Sequence, residues 1–183
     1  MAAQALDCRR VTPTGIPEVA ALQQLYEEAF PVYERRDYAQ LLQLLDQPAM
    51  FFYAAMQDKL FVGFYIYWQL QGFCFLEHIA ILPALQGQGY GRQLMQRIML
   101  ETGAKLVLEV ERPTNELSRR RISFYQNLGF ALHAEHDYYQ PPYQPGRQPV
   151  PLYLMAAPPL ADPAEIAHVS SHIRQAVYER FYE

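Results

Sequence analysis

Apolar and polar positions follow two different periods along the chain, and these periods predict its first elements. A short strand is predicted near residues 6–11. Over residues 16–30 the apolar residues recur every three or four positions, which is the spacing of one helix face. Residues 37–46 predict a second helix with more than one apolar face, and Pro48 marks its end. The chain is therefore expected to open with one strand and two helices.

Three strand candidates follow in direct succession. They read MFFYAAM, LFVGFYIYWQL and FCFLEHIAIL, and the segments that join them are short. Because short connections join antiparallel neighbours, these strands predict a meander. A helix then runs to about Gly103, and the apolar stretch KLVLEV forms the next strand. That order implies a crossover connection between parallel strands.

The last third of the chain predicts a helix, a strand pair and a final helix. Residues 118–128 form the helix, and strands near 130–139 and 150–156 flank the proline-rich loop QPPYQPGRQPVP. The tail carries an apolar stripe, so a helix over about 163–183 is expected to pack on the sheet or on a second copy of the chain. Because no linker or repeat interrupts the pattern, residues 1–183 are predicted to form one α/β domain with this helix as an extension.

The composition narrows the class of protein. Hydrophobic residues make up 51% of the chain and charged residues 19%, which is enough apolar material for one sizeable core. The formal net charge of -4 disfavours a nucleic-acid partner. No stretch has the pattern of a signal peptide or a membrane span, so we expect a cytoplasmic protein with no membrane partner. Cys8 and Cys74 lie far apart and outside any metal-ligand spacing, so no metal site is predicted.

The stretch LPALQGQGYGRQL at residues 82–94 is a candidate anion site. A glycine-rich entry to a helix leaves backbone N–H groups unpaired, and these groups favour phosphate. A nucleotide-hydrolysing loop is excluded because the residue five after Gly87 is Arg92 rather than glycine. The dinucleotide fingerprint also requires a glycine where Arg92 stands, although Glu109 lies 20 residues after Gly89. A simple turn that starts a helix explains the glycines equally well.

Two motifs in the correct order make the sequence resemble one known superfamily. QGQGYG matches the Q/R-x-x-G-x-G/A signature of the GNAT acetyltransferases, and it follows the apolar strand HIAILP as in that family. RRRISFYQNLGF is similar to the second signature, a helix with a tyrosine before a Leu-Gly-Phe end. The resemblance covers about residues 6–156. It implies a mixed, mostly antiparallel twisted sheet of six or seven strands, flanked by about five helices, with a splayed strand pair that holds the cofactor.

The resemblance implies acetyl-coenzyme A as the acetyl donor. In the family, backbone N–H groups of the glycine loop bind the pyrophosphate, and the backbone of the preceding strand pairs with the pantetheine amides. Ile79, Ala80 and Ile81 also read as an ordinary core strand, and strand pairing through the backbone is compatible with that packing. The implied cofactor-binding residues are Ile79, Ala80, Ile81, Gln86, Gly87, Gln88, Gly89, Tyr90, Gly91 and Arg92.

Acetyl transfer to an amine needs a base and an acid, and the resemblance places candidates for both. A carboxylate that acts directly or through water can take a proton from the acceptor's ammonium group, and the candidates are Glu77, Glu109 and Glu111. Glu111 would need a bend in the chain to join them. Tyr125 matches the tyrosine that protonates the departing thiolate, and a backbone N–H near Ala80 would polarise the thioester carbonyl. Each carboxylate could also be merely solvated, and an aromatic residue on a helix is ordinarily core.

The sequence departs from the simplest family members between Glu109 and Tyr125. RPTNELSRR is inserted there, and no asparagine stands eight residues before Tyr125. Arg121 lies on an apolar helix face, where it snorkels to solvent, pairs with a carboxylate or meets coenzyme phosphate.

The resulting hypothesis is an N-acetyltransferase that acts on a primary amine of a small molecule or peptide. The alternative is a coenzyme-binding module that has lost catalysis and works as a sensor or scaffold. The acceptor pocket is predicted between the first two helices and the proline-rich loop. It would draw on Glu34, Arg35, Tyr138, Tyr139 and Tyr143.

Overall fold

The computed structural model describes residues 5–15 and 19–181. The predicted start of the first helix at Ile16 and the last two residues of the predicted tail helix lie outside these ranges. The strands are β1 Asp7–Arg10, β2 Met50–Gln57, β3 Leu60–Leu70, β4 Phe73–Ile81, β5 Leu106–Glu111, β6 Ala131–Gln140 and β7 Val150–Ala157. The α-helices are α1 Val19–Ala29, α2 Tyr38–Gln43, α3 Tyr90–Thr102, α4 Glu116–Gln126 and α5 Pro163–Ile173.

Within the described residues, the seven strands form one open sheet in the order β1-β2-β3-β4-β5-β7-β6. Antiparallel pairing joins β1 to β2, β2 to β3, β5 to β7 and β6 to β7. The first residues of β4 approach the start of β5, where the Cys74 N–H donates to the Lys105 carbonyl over 2.7 Å. The predicted class, a mostly antiparallel mixed sheet with about five helices, is confirmed.

Local chemistry explains where two helices differ from their predicted bounds. The α2 helix is followed by a 3₁₀ turn at Leu44–Asp46, because Pro48 leaves no room for a longer helix. The α4 helix begins two residues earlier than predicted because Asn115 caps it. The Asn115 side chain accepts a hydrogen bond from the Ser118 N–H, and the Ser118 hydroxyl accepts one from the Asn115 N–H.

The chain forms two compact units, of which the first comprises Met1–Gln69 and Leu76–Glu101. Its core lies between α1 and the strands, where the Tyr26 ring packs 6.0 Å from Phe64, and Phe64 packs 5.6 Å from Phe52. All three residues are buried.

In the first unit, β3 has a bulge in its pairing with β2 and a close backbone approach to β4. Val62 is the extra residue, since Ala55 pairs with Gly63 and Met56 pairs with Phe61. A Cβ atom at Gly63 would lie only 2.2 Å from the Ala80 carbonyl oxygen. Glycine is therefore required here by close backbone approach to β4.

The second unit comprises Leu70–Phe75 and Thr102–Glu183. Both strands contain three consecutive buried residues, Leu106–Leu108 in β5 and Leu154–Ala156 in β7, and the apolar stripe of α5 is also buried at Ile166, Val169 and Ile173. After α5 the chain makes a π-helical turn at Arg174–Tyr178 and a 3₁₀ turn at Glu179–Phe181. The predicted tail helix therefore changes its winding after Ile173. No helix within the described ranges is long and apolar enough to cross a bilayer.

Candidate active site

The glycine loop leads directly into α3. Gly87 and Gly89 have φ angles of 78° and 89°, which place them in the left-handed region that favours glycine. An added Cβ at either position would meet no atom within 4 Å, so conformation rather than space requires these glycines. The helix begins at Tyr90, and the N–H groups of its first turn have no partner within the helix. This local geometry is suited to binding an anion.

Two glutamine side chains tie this loop to the chain before it. The Gln86 amide donates to the Ile81 carbonyl over 3.1 Å, and the Gln88 amide donates to the Ala84 carbonyl over 3.2 Å. No acidic residue occurs between residues 82 and 100, and Arg92 is exposed in the first turn of α3. The charge of the segment therefore agrees with the anion preference of its backbone.

Glu77 lies on β4 and is enclosed by polar partners. The Trp68 indole N–H donates to Glu77 Oε2 over 2.6 Å, and Arg36 Nη2 lies 3.4 Å from Glu77 Oε1. The Glu77 side chain is only 1% exposed, although the residue as a whole is half-buried, so its accessible part is main chain. The acid is thus part of a buried ion pair beside the strand end.

His78 follows Glu77 and points into aromatic surroundings. Its ring lies 4.2 Å from Phe30 and 5.4 Å from Tyr26. Burial lowers the pKa of His78 to about 4, with smaller contributions from the Arg36 and Arg35 charges, while the Glu77 charge opposes the shift. His78 is therefore neutral at physiological pH.

Glu109 lies on β5 in the second unit, and two phenols hold its carboxylate. The Tyr138 hydroxyl donates to Oε1, and the Tyr178 hydroxyl donates to Oε2 over 2.8 Å. Burial raises the pKa of Tyr138 well above its usual value, and the neighbouring Glu109 charge adds to the shift. Tyr138 is therefore a protonated donor throughout the physiological range. Tyr178 was not predicted as a site residue.

Tyr125 lies near the C-terminal end of α4, where aromatic rings surround it. The Phe124 and Phe130 centroids are 5.2 Å and 5.8 Å from its own. Its carbonyl accepts hydrogen bonds from the N–H groups of Leu128 and Phe130, which anchors the helix end. Burial raises the pKa of Tyr125 to about 12, and the Arg121 charge acts in the opposite direction. The phenol is therefore protonated.

The remaining predicted residues fall into separate groups. Arg121 pairs with the Glu111 carboxylate over 3.0 Å, which supports the ion-pair interpretation of that arginine. Arg35 donates to the Phe30 carbonyl over 3.1 Å, and the Tyr143 ring packs 4.9 Å from Tyr178. Glu77 and the glycine loop belong to the first unit, whereas Glu109 and Tyr125 belong to the second. Across the described part of the chain, no group of three or more His, Cys, Asp or Glu residues could hold a metal ion.

Comparison with known proteins decides the family. The sequence model of the Acetyltransferase (GNAT) family matches residues 19–130. A GNAT-family protein from Bacteroides thetaiotaomicron has 34% sequence identity to this chain, covers 94% of it and 98% of its own length, and superposes with a TM-score of 0.87. The chain belongs to the GNAT acetyltransferase family. It is therefore an acyltransferase, and the resemblance stated from its motifs is confirmed.

More distant GNAT structures share the fold. The ribosomal-protein-S18-alanine N-acetyltransferase from Escherichia coli is 23% identical, with a TM-score of 0.58 and coverage of 82% of this chain and 92% of its own. A GNAT acetyltransferase from Elizabethkingia anophelis, solved with acetyl-CoA bound, is 17% identical, with a TM-score of 0.58 and coverage of 84% and 98%. No protein of curated function matches this GNAT chain at a significant level.

Proposed function

We propose that this GNAT protein is an N-acetyltransferase that moves an acetyl group from acetyl-CoA to a primary amine. The observation that carries the proposal is the glycine loop, in which two left-handed glycines open α3 directly after the β4 strand end. The family match includes this segment. Acetyl-CoA is the bound donor in the related structure from Elizabethkingia anophelis. The donor supplies an acetyl thioester, whose carbonyl carbon is the electrophile.

Backbone groups of the first unit are assigned to the donor. The N–H groups from Gln86 to Arg92 bind the pyrophosphate, and the exposed Arg92 side chain adds positive charge. The backbone of Ile79–Ile81 pairs with the pantetheine arm, and an N–H near Ala80 polarises the thioester carbonyl. The exposed glycine loop and the absence of acidic residues through α3 up to residue 100 support this assignment.

Glu109 is our first choice for the base that deprotonates the acceptor. The two tyrosine hydroxyls that donate to it are neutral phenols, so neither donor neutralises the carboxylate before an ammonium group approaches. Glu77 is the second choice, because its side chain is 1% exposed and already paired with the Arg36 cation. The free amine then attacks the thioester carbonyl carbon.

Tyr125 is assigned as the acid that completes the transfer. When the tetrahedral intermediate collapses, the carbon–sulfur bond breaks and the thiolate leaves with the electron pair. The Tyr125 phenol donates its proton to that sulfur, and its raised pKa of about 12 keeps the phenol protonated until then. The acetylated nitrogen gives up its extra proton, which restores the Tyr125 phenol, so the products are an N-acetylated amine, free coenzyme A and the proton first taken by the base.

The acceptor is proposed to be a small-molecule or peptide amine. The Escherichia coli structural relative acts on the alanine of a ribosomal protein, which is a peptide amine. A chain with a net charge of -4 also attracts cationic amines.

The proposal is tested by donor binding followed by turnover. Calorimetry with acetyl-CoA should show binding at a single site, and a screen of polyamines, amino acids, aminoglycosides and short peptides should release free thiol with at least one acceptor. Binding without thiol release for any amine would favour the non-catalytic sensor or scaffold. Absence of binding would contradict both functions.

A further inference from the structure

The tail of the second unit reaches Glu109 through a π-helical turn. The turn at Arg174–Tyr178 interrupts the regular winding that α5 establishes. Such turns are rare in proteins, and those that occur are often found at functional sites. Val177 and Tyr178 are both completely buried. Arg174 lies 3.3 Å from Glu179 on the exposed side of the same segment. The turn therefore directs one tyrosine inward while the charged residues stay outside.

The hydroxyl of that tyrosine is one of two phenol donors to Glu109. Tyr178 bonds Oε2 over 2.8 Å, whereas Tyr138 of β6 bonds Oε1. The Tyr178 ring is held in turn by Tyr143, whose centroid is 4.9 Å away. One donor on each oxygen fixes the plane of the carboxylate as well as its position. The two donors come from elements 29 and 69 residues distant in the chain.

We propose that Tyr178 is a positioning residue of the acetyl transfer, which acts by holding the Glu109 carboxylate ionised and oriented toward the acceptor amine. This inference rests on the proposed function. It adds the C-terminal segment, which lies beyond the residues matched by the family model, to the machinery of the reaction. A hydrogen bond to a carboxylate stabilises its charged form, so losing the bond makes protonation easier.

Both signs of charge occur at this cluster. Glu109 carries the negative charge, and Arg174 acts electrostatically on Tyr138 from the tail. Both Tyr138 and Tyr178 bond to the carboxylate as neutral donors, so neither neutralises it. A cationic donor would hold Glu109 equally well but would also repel the acceptor's ammonium group. The two phenols therefore fix the geometry of the carboxylate without adding positive charge to it.

The first test is a kinetic comparison on an acceptor found by the thiol-release screen. Tyr178→Phe is expected to lower kcat roughly tenfold, with a smaller change in KM, because one hydrogen bond to a charged group is lost. The acidic limb of the pH–rate profile should move about one unit toward higher pH. Tyr153→Phe is the matched control, since it removes a phenol hydroxyl from the same unit and keeps the ring that Arg112 covers.

A double-mutant cycle separates positioning from folding. In a Glu109→Gln background, Tyr178→Phe should have almost no further effect on kcat, because the two residues act as one unit. A tenfold loss that persists in this background would overturn the inference. So would a Tyr178→Phe enzyme whose kcat, KM and pH profile equal those of Tyr153→Phe.

The second test does not depend on turnover. In protein labelled with ¹³C at the glutamate carboxyl carbons, the Glu109 resonance is identified by its loss in Glu109→Gln. Its titration midpoint should rise by about one unit in Tyr178→Phe relative to wild type. An unchanged midpoint contradicts the role of Tyr178, whether or not an acceptor is found. A raised midpoint in a protein that turns over no amine would support the hold of Tyr178 on Glu109. That result would contradict only the proposed function.

Discussion

The Arg36 guanidinium lies 3.4 Å from the Glu77 carboxylate, and neither side chain is more than 3% exposed. The Trp68 indole N–H donates to the other carboxylate oxygen over 2.6 Å. The Tyr26 hydroxyl also accepts a hydrogen bond from the Arg36 main-chain N–H, so the segment between α1 and α2 is anchored at two points. The pair thus fixes that segment to β4.

Breaking this ion pair should destabilise the protein strongly. We expect Arg36→Met to lower the free energy of unfolding by about 3–5 kcal/mol, because the Glu77 charge would stay buried without its cation. Urea unfolding followed by circular dichroism measures the loss. The control is Arg9→Met, which breaks the exposed pair with Asp7 and should cost less than about 1 kcal/mol. Similar losses of unfolding free energy in the two variants would show that burial does not make the Arg36–Glu77 pair more important for stability.

His78 should make the stability of the protein depend on pH in the acidic range. Its pKa of about 4 in the folded state is below the usual 6.5, chiefly because of burial, so the unfolded chain takes up the proton first. Stability is then fully present above pH 6.5 and falls by up to about 3 kcal/mol as the pH drops toward 4. The loss is measured as the difference between the free energies of unfolding at pH 7 and pH 4.5. His78→Gln should reduce that difference by the contribution of His78.

The control for His78 is His168→Gln on the exposed side of α5. This variant removes an exposed histidine and leaves the buried His78 in place. Its loss of stability between the two pH values should therefore match that of wild type. If His78→Gln and His168→Gln lose stability equally, another group is responsible for the acid sensitivity.

Tyr125→Phe should reduce turnover while leaving the fold intact. The ring contacts with Phe124 and Phe130 remain in the variant, so we expect the melting temperature to change little. Losing the general acid should lower kcat by roughly a hundredfold or more. Because the pKa of Tyr125 is about 12, its ionisation should not produce a basic limb in the wild-type profile below that pH. Wild-type kcat in the variant would exclude Tyr125 as the acid.

Gly89→Ala should weaken donor binding by disturbing the loop backbone. The φ angle of 89° is unfavourable for alanine, so the variant should lose about 1 kcal/mol of stability and bind acetyl-CoA roughly tenfold more weakly. Gly72 is the matched control because its φ angle of 86° lies in the short turn between β3 and β4. Gly72→Ala should lose comparable stability and keep its affinity in calorimetry. Equal affinity for acetyl-CoA in the two variants would contradict a role of the glycine loop in donor binding.

The glycine loop could be predicted from sequence because all of its determinants are local. The strand end at Ile81, the two left-handed glycines and the start of α3 at Tyr90 lie close together in the chain. Backbone conformation at such a site depends mainly on residue type, and glycine is the residue that adopts these φ angles readily. A short sequence motif is therefore enough to predict both the turn and its preference for anions.

The partners of the two glutamates could not be predicted, because they come from distant parts of the chain. Glu109 is bonded by Tyr178, 69 residues away, and only the π-helical turn brings that hydroxyl inward. The apolar stripe of the tail predicts burial of Val177 but contains no sign of the changed winding. Arg35 was predicted in the acceptor pocket, whereas its neighbour Arg36 forms the buried pair with Glu77. Adjacent arginines in a loop carry no periodic signal that distinguishes them.

The tight approach of Gly63 to Ala80 gives position 63 a remote influence on the coenzyme. Any larger side chain there would displace the backbone of β4 at the residues proposed to pair with pantetheine, since a Cβ would lie 2.2 Å from the Ala80 oxygen. Random mutagenesis scored for weaker coenzyme affinity should therefore recover substitutions at Gly63 together with those in the glycine loop. A residue that never meets the ligand would in this way behave genetically as part of its binding site.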